Sequence, residues 1–270
     1  MLQAITEFLW SYVLVIVLVG IGLIFTIRSK FVQLRHFGEM FRVLAQAFHH
    51  QPGHVSSFQA LALSVAGRVG AGNIAGVAVA ITLGGPGAIF WMWLIGILGM
   101  ATSFFECTLA QVFKNAEPDG TYRGGPAYYM TRGVRSRALA VLYSVLLLIT
   151  FGMAFVALQS FTASSSLKDA FGIPVLWSGI AMTAVVAFTI FGGVKRIASV
   201  TEIVVPLMAV SYILVAVVVV ALNLDRVPHA LEIIVTGAFG LDPAIGGGIG
   251  AAITMGVRRG LFSNEAGLGS

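Results

Sequence analysis

The residues best placed to do chemistry lie in two glycine-rich runs, each inside an otherwise apolar stretch. Gly67-Arg68-Val69-Gly70-Ala71-Gly72-Asn73 sets three glycines, a guanidinium and an amide in the middle of one stretch. Gly246-Gly247-Gly248-Ile249-Gly250 follows Asp242-Pro243 in another. Such runs are poor helix formers. In hydrocarbon a broken helix persists only where neighbouring protein, an ion or a substrate satisfies its backbone. Free amides at the start of a half-helix suit an anion, and free carbonyls at the end of one suit a cation. Small-x-x-x-small spacings, such as Gly72-x-x-x-Gly76 and Gly246-x-x-x-Gly250, also let helices approach. A single glycine therefore serves packing as readily as binding, and it is the clustering that points to binding. Gly70 lies 14 residues past Ser56, where its stretch begins, and Gly246 lies 13 past Ile233. Two glycine-interrupted segments broken at corresponding depth are the sequence mark of a secondary transporter's binding site.

Other chemistry is sparse. Cys107 is the single cysteine, which permits neither an internal disulfide nor a multi-thiolate metal site. His36, His49, His50 and His54 fall in one juxtamembrane stretch, His229 stands apart, and no H-E-x-x-H occurs. Gly70-x-Gly72 lacks the strand and acidic residue of a dinucleotide site. Ser165-x-x-Lys168 falls at the end of a span among serines, where the spacing is coincidence. With no nucleophile elbow and no phosphate-binding loop either, no enzyme is expected.

The elements that must position these residues follow from composition. Hydrophobic residues make up 58% of the 270 and charged residues 10%, against about 25% charged in a soluble domain. The apolar residues come in long uncharged blocks, which predicts an all-α integral membrane protein. At roughly 20 apolar residues per crossing, seven spans are expected, over residues 8–27, 58–82, 88–113, 138–165, 173–191, 203–224 and 233–257. Barrel strands would alternate apolar and polar, and these blocks are apolar all round. The odd-numbered connections hold 13 of the 16 Lys and Arg and the even-numbered ones two. By the positive-inside rule the N-terminus is outside and residue 270 cytoplasmic. The net charge of +5 is thus a topology signal, and no nucleic-acid partner is implied. Residues 30–54, with apolar residues scattered among charges, are expected to form a cytoplasmic segment on the membrane surface. Span one is too long for a typical signal core and lacks a small-residue cleavage site, so no cleavable signal is expected.

Beyond these physical readings, the motifs resemble a known family. Val69-Gly70-Ala71-Gly72-Asn73-Ile74-Ala75-Gly76 and Gly84-Gly85-Pro86-Gly87-Ala88-Ile89-Phe90-Trp91-Met92-Trp93 look like those of the alanine or glycine:cation symporters. Gly124-Gly125-Pro126-Ala127-Tyr128-Tyr129 and the run Arg259-Gly260-Leu261-Phe262-Ser263-Asn264-Glu265-Ala266-Gly267-Leu268-Gly269-Ser270 match it too. The resemblance runs from about Phe58 to the last residue. It implies a leucine-transporter-like fold: one extra N-terminal helix, a five-helix repeat and its inverted copy. Residues 1–270 would then be a single transmembrane transporter domain that stops after the first helix of the second repeat, hence truncated. The chain departs from the family at Ala71, where threonine is common, at Val156, where asparagine is common, and at Ile245, where a small residue is favoured. The first two departures remove polar groups.

The resemblance also implies roles. Ala71, Gly72 and Asn73 would hold an amino-acid carboxylate, and the backbone carbonyls of Ala66 and Val69 would bind sodium. Gln159 would contact substrate, since an amide in an apolar span needs a partner. Phe161 and Phe239 would wall the pocket, and Gly246 and Gly247 would close it from the second break. Arg68 is too costly to face lipid and is paired with Glu106 as a gate or structural pair. Asp242 is a cation ligand or a helix-break cap. The function implied is sodium-coupled symport of alanine or glycine across the plasma membrane by alternating access, with sodium the only accessory group. The partners are then a small neutral amino acid, sodium and membrane lipid. The alternative is a non-transporting remnant or membrane interaction partner of the same family.

Overall fold

The computed structural model describes residues 2–46, 56–118, 122–240 and 248–269. The first helix, α1, spans residues 2–28 as Leu2–Phe8, a π-helical turn Leu9–Val13 and Leu14–Arg28. Two short helices follow, α2 (Val32–Arg35) and α3 (Phe37–Gln46). The next apolar block forms two helices, α4 (Ser57–Arg68) and α5 (Ala71–Gly84), and α6 runs over Ala88–Val112. A two-stranded antiparallel ribbon pairs Asn115 with Arg123 and Ala116 with Tyr122. It leads into α7 (Pro126–Arg132), which has proline in its first turn, where no amide is needed.

A long helix α8 covers residues 137–171 as Arg137–Ile149, a π-helical stretch Thr150–Phe155 and Val156–Phe171. It stops at Gly172 in a left-handed cap whose amide donates to the Lys168 carbonyl. Then come α9 (Val175–Ile190), α10 (Gly193–Leu222), α11 (Val227–Ala238) and α12 (Ile249–Asn264). Residues 241–247, with Asp242, Ile245, Gly246 and Gly247, lie outside the described residues.

Among the described residues, four helical stretches are long and apolar enough to cross a membrane: Phe58–Gly84, Ala88–Val112, Arg137–Phe171 and Arg196–Leu222. Leu14–Arg28 and Val175–Ile190 are shorter and apolar. In α8 and α10 only 6% of the most apolar window is buried within the chain. Side chains such as Phe188, Ile203 and Leu207 are exposed. A water-soluble fold does not tolerate apolar surface on that scale, whereas lipid or further membrane helices accommodate it.

The chain forms two compact units, one of residues 1–43, 72–105 and 207–270, the other of 44–71 and 106–206. The core of the first is Ile95 and Leu98 of α6 and Val257 of α12, flanked by Val15, Val19, Trp91, Ile253 and Leu261. Small residues bring the backbones together. A Cβ on Gly256 would strike the Ala88 carbonyl, and one on Gly260 would lie 3.0 Å from Ile95 Cβ. Gly72 faces Phe262 and Ser263, while Gly84 faces Met255 and Ala251, so α5 and α12 run antiparallel. The close-packing pair is therefore Gly256-x-x-x-Gly260. Gly250, whose spacing from Gly246 suggested such a role, has no described atom within 4 Å of its added Cβ.

In the second unit α4 starts with a reciprocal cap. The Gln59 amide donates to Ser56 Oγ, and the Ser56 amide donates to Gln59 Oε1, each at 3.0 Å. Gln59 Nε2 then donates to Glu202 Oε2 of α10 at 2.7 Å, across 143 residues of chain.

Candidate functional site

The break between α4 and α5 is the feature around which the candidate residues gather. The last α4 bond runs from the Val69 amide to the Val65 carbonyl at 2.8 Å, and Val69 is extended, with φ −106° and ψ 108°. The helix resumes at Ala71. A new helix start exposes its first amides, and a helix end its last carbonyls. The carbonyls of Ala66 and Val69 lie in that terminal turn, and both residues are half-buried.

Gln159 of α8 closes part of the gap. The Ala71 amide donates to Gln159 Oε1 at 2.9 Å, so a side chain 88 residues away caps α5. The approach is close enough to require glycine at position 70, where an added Cβ would lie 2.5 Å from Gln159 Nε2. Gly70 does not have a positive φ, so the demand is for space and not for backbone freedom. The π-helical stretch Thr150–Phe155 ends one turn before Gln159 and rotates the remainder of α8 relative to an uninterrupted α-helix. Phe151 and Phe155 stack there, with centroids 4.6 Å apart. The direction in which Gln159 points is therefore set by an irregularity in its own helix.

The other candidate residues are more scattered. Gly72 is buried and Asn73 half-buried in the first turn of α5. Phe161, on α8, is 67% exposed. Phe239 follows the end of α11 and packs edge-on to Phe90 at 5.1 Å and against Trp91 at 6.1 Å. The Trp91 indole donates to the Ala238 carbonyl at 3.2 Å, tying the end of α11 to the Gly84–Trp93 motif. Arg68 ends α4 half-buried, with Nε enclosed and unbonded. No ion pair joins it to Glu106 among the described residues. Glu106 instead lies near α7, where burial, and then its negative charge, push the Tyr129 phenol above its ordinary range. Gly246 and Gly247 are outside the described residues.

One partnership in this region escaped the sequence reading. The Ser56-x-x-Gln59 cap is legible as a motif, but Glu202 borders an apolar block with nothing local to name its partner. The described residues contain no cluster of three or more His, Cys, Asp or Glu.

These features define a multi-pass helical membrane protein with a helix interrupted midway and capped from a distant helix. The profile of the sodium:alanine symporter family matches residues 1–270, and the chain belongs to that family. It is 50% identical over 265 residues to a probable sodium/glutamine symporter of Bacillus subtilis, covering 98% of this chain and 55% of that protein. It is 46% identical over 265 residues to an amino-acid carrier protein of the same organism, covering 98% and 56%. A sodium/proton-dependent alanine carrier of Bacillus sp. strain PS3 is 43% identical over 235 residues, covering 86% of this chain and 51% of the carrier. The chain spans about half the length of these curated relatives.

Proposed function

We propose that the chain takes part in sodium-coupled symport of a small neutral amino acid, alanine or glycine, across the plasma membrane by alternating access. The observation that carries this reading is the break at Val69–Gly70, with the Ala71 amide held by Gln159. The interruption brings a helix end and a helix start together in one span, an arrangement that suits a cation at the first and a carboxylate at the second. In this reading Ala71, Gly72 and Asn73 bind the carboxylate, and the carbonyls of Ala66 and Val69 bind sodium. Gln159 fixes the geometry of the break and contacts substrate, while Phe161, Phe239, Gly246 and Gly247 line the rest of the site. Arg68 and Glu106 act as a gate in another state of the cycle. The arrangement is leucine-transporter-like, with seven spans, the N-terminus outside and residue 270 cytoplasmic.

A second substrate is favoured by a specific observation. The relative that is 50% identical is named a probable sodium/glutamine symporter, and Ala71 and Val156 lack the polar groups common in alanine and glycine carriers. The test is uptake of labelled alanine, glycine and glutamine by the complete gene product, with and without sodium. Sodium-dependent alanine or glycine uptake supports the reading, and preference for glutamine supports the second. Absence of uptake under every condition favours a non-transporting remnant.

A further inference from the structure

The corner after α1 has no part in the proposed transport site, yet it is built with care. After Arg28 the chain turns through two left-handed residues, Lys30 (φ 54°) and Phe31 (φ 57°). The Phe31 amide donates to the Thr26 carbonyl at 2.8 Å, and Gln33 Nε2 donates to Thr26 Oγ1 at 3.2 Å. Val32 and Gln33 are 4% and 6% exposed. Left-handed residues with side chains are uncommon and need support, and here α2 is locked onto the end of α1. In the chain, α3 follows one residue after that locked turn.

What α3 presents is apolar on one side. Phe37, Met40 and Phe41 share a face at i, i+3 and i+4, and the two rings meet edge-on at 5.3 Å. All three are at least half exposed. Arg28, Lys30, Arg35 and Arg42 are exposed along the same segment, and from 28 to 43 the one carboxylate is Glu39, 3.4 Å from Arg42. A short helix with an aromatic face and a basic surround, fixed at the end of a span, suits the boundary between acyl chains and headgroups. Four cations against one carboxylate favour anionic headgroups over neutral ones.

We propose that residues 28–43 form an anionic-lipid docking surface, with Phe37, Met40 and Phe41 entering the bilayer interface and Arg28, Lys30, Arg35 and Arg42 meeting lipid phosphates. The occupant is the lipid surface itself, not a second copy of the chain. This is independent of the substrate carried, and it requires only that the chain lie in a membrane.

The experiment labels Met40→Cys, in a Cys107→Ser background, with an environment-sensitive fluorophore. The chain is reconstituted at low density in phosphatidylcholine vesicles, with or without phosphatidylglycerol, and quenched by spin-labelled lipid. Native Cys107 on α6, labelled separately, reports integration in the same vesicles. We expect quenching at position 40 to rise about threefold in anionic vesicles, on the scale of a few basic contacts. Arg35→Gln with Arg42→Gln should return it to the neutral-lipid level, and Phe37→Ser with Phe41→Ser should abolish it in both lipids. Equal quenching in both vesicle types, with Cys107 integrated normally, overturns the proposal. So does protection of the probe that rises with protein density, which would assign the face to a second copy.

Discussion

The contact between Gly70 and Gln159 gives the sharpest test of how the broken helix is held. Gln159→Ala removes the acceptor of the Ala71 amide and leaves a half-buried donor unmet, which costs about 1–3 kcal/mol. Gly70→Ala attacks the same bond from the other side. Its methyl would lie 2.5 Å from Gln159 Nε2, so the amide must swing away and release Ala71. Because Gly70 does not have a positive φ, alanine adds no backbone strain of its own, and the cost should again be about 1–3 kcal/mol. In a Gln159→Ala background the clash has gone, and Gly70→Ala should do little further harm. The double variant is therefore expected near the level of Gln159→Ala alone, with a coupling energy equal to the cost of Gly70→Ala, about 1–3 kcal/mol. The assay is substrate affinity in the complete carrier, read beside thermal stability in detergent, where each single variant should bind roughly 5–150-fold more weakly. Additive losses would refute the reasoning, since they would mean that the two residues act on different things.

Four further outcomes are expected. Uptake should be lost when sodium is omitted and should survive collapse of the proton gradient, because the break offers neutral oxygens and not a titrating carboxylate; the reverse pattern in a proteoliposome assay would reject sodium coupling. Gly256→Ala should lower stability by about 1–3 kcal/mol, since its methyl meets the Ala88 carbonyl and Trp91 Cβ and backbone cannot yield. Gly250→Ala, with open space around it, should be neutral or mildly stabilising; equal melting shifts for the two would contradict the packing described. Glu202→Ala should destabilise the start of α4 by about 1–2 kcal/mol through the lost 2.7 Å bond to Gln59, visible as faster hydrogen exchange over residues 56–62; unchanged exchange would make that bond incidental. Finally, residues 1–270 alone should insert with the N-terminus outside but should not transport; alanine uptake by that chain in liposomes, or external labelling of a cysteine placed at residue 270, would disprove it.

Gln159 and Gly70 together account for how the interruption is held. An interrupted helix in hydrocarbon tends to rewind, because each unmet backbone group is costly. Here Gln159 satisfies the Ala71 amide from outside, and Gly70 admits that amide without obstruction. The start of α4 is held separately by Gln59 and Glu202. The start of α4 and the start of α5 thus have different anchors.

Several features were legible in the sequence because they are local. The long uncharged blocks announce helices in a membrane, since hydropathy accumulates residue by residue. The interruption at Gly67–Asn73 is likewise visible, because glycine weakens a helix wherever it stands. Even Gln159 declared itself as an amide needing a partner. Which partner it takes was not written locally. The Ala71 amide, the Glu202 carboxylate for Gln59, and Gly256 in place of Gly250 at the close helix contact all depend on how far each helix is rotated about its axis. A π-helical stretch such as Thr150–Phe155 shifts that rotation without leaving a mark in hydropathy. Arg68 and Glu106 show the same limit, for two charges in neighbouring apolar spans suggest a pair, and hydropathy does not say whether the helices turn them toward each other. Composition and periodicity thus determined which segments are helical and where one is interrupted. Only the tertiary structure, through the phase of helices against one another, decided which side chains meet.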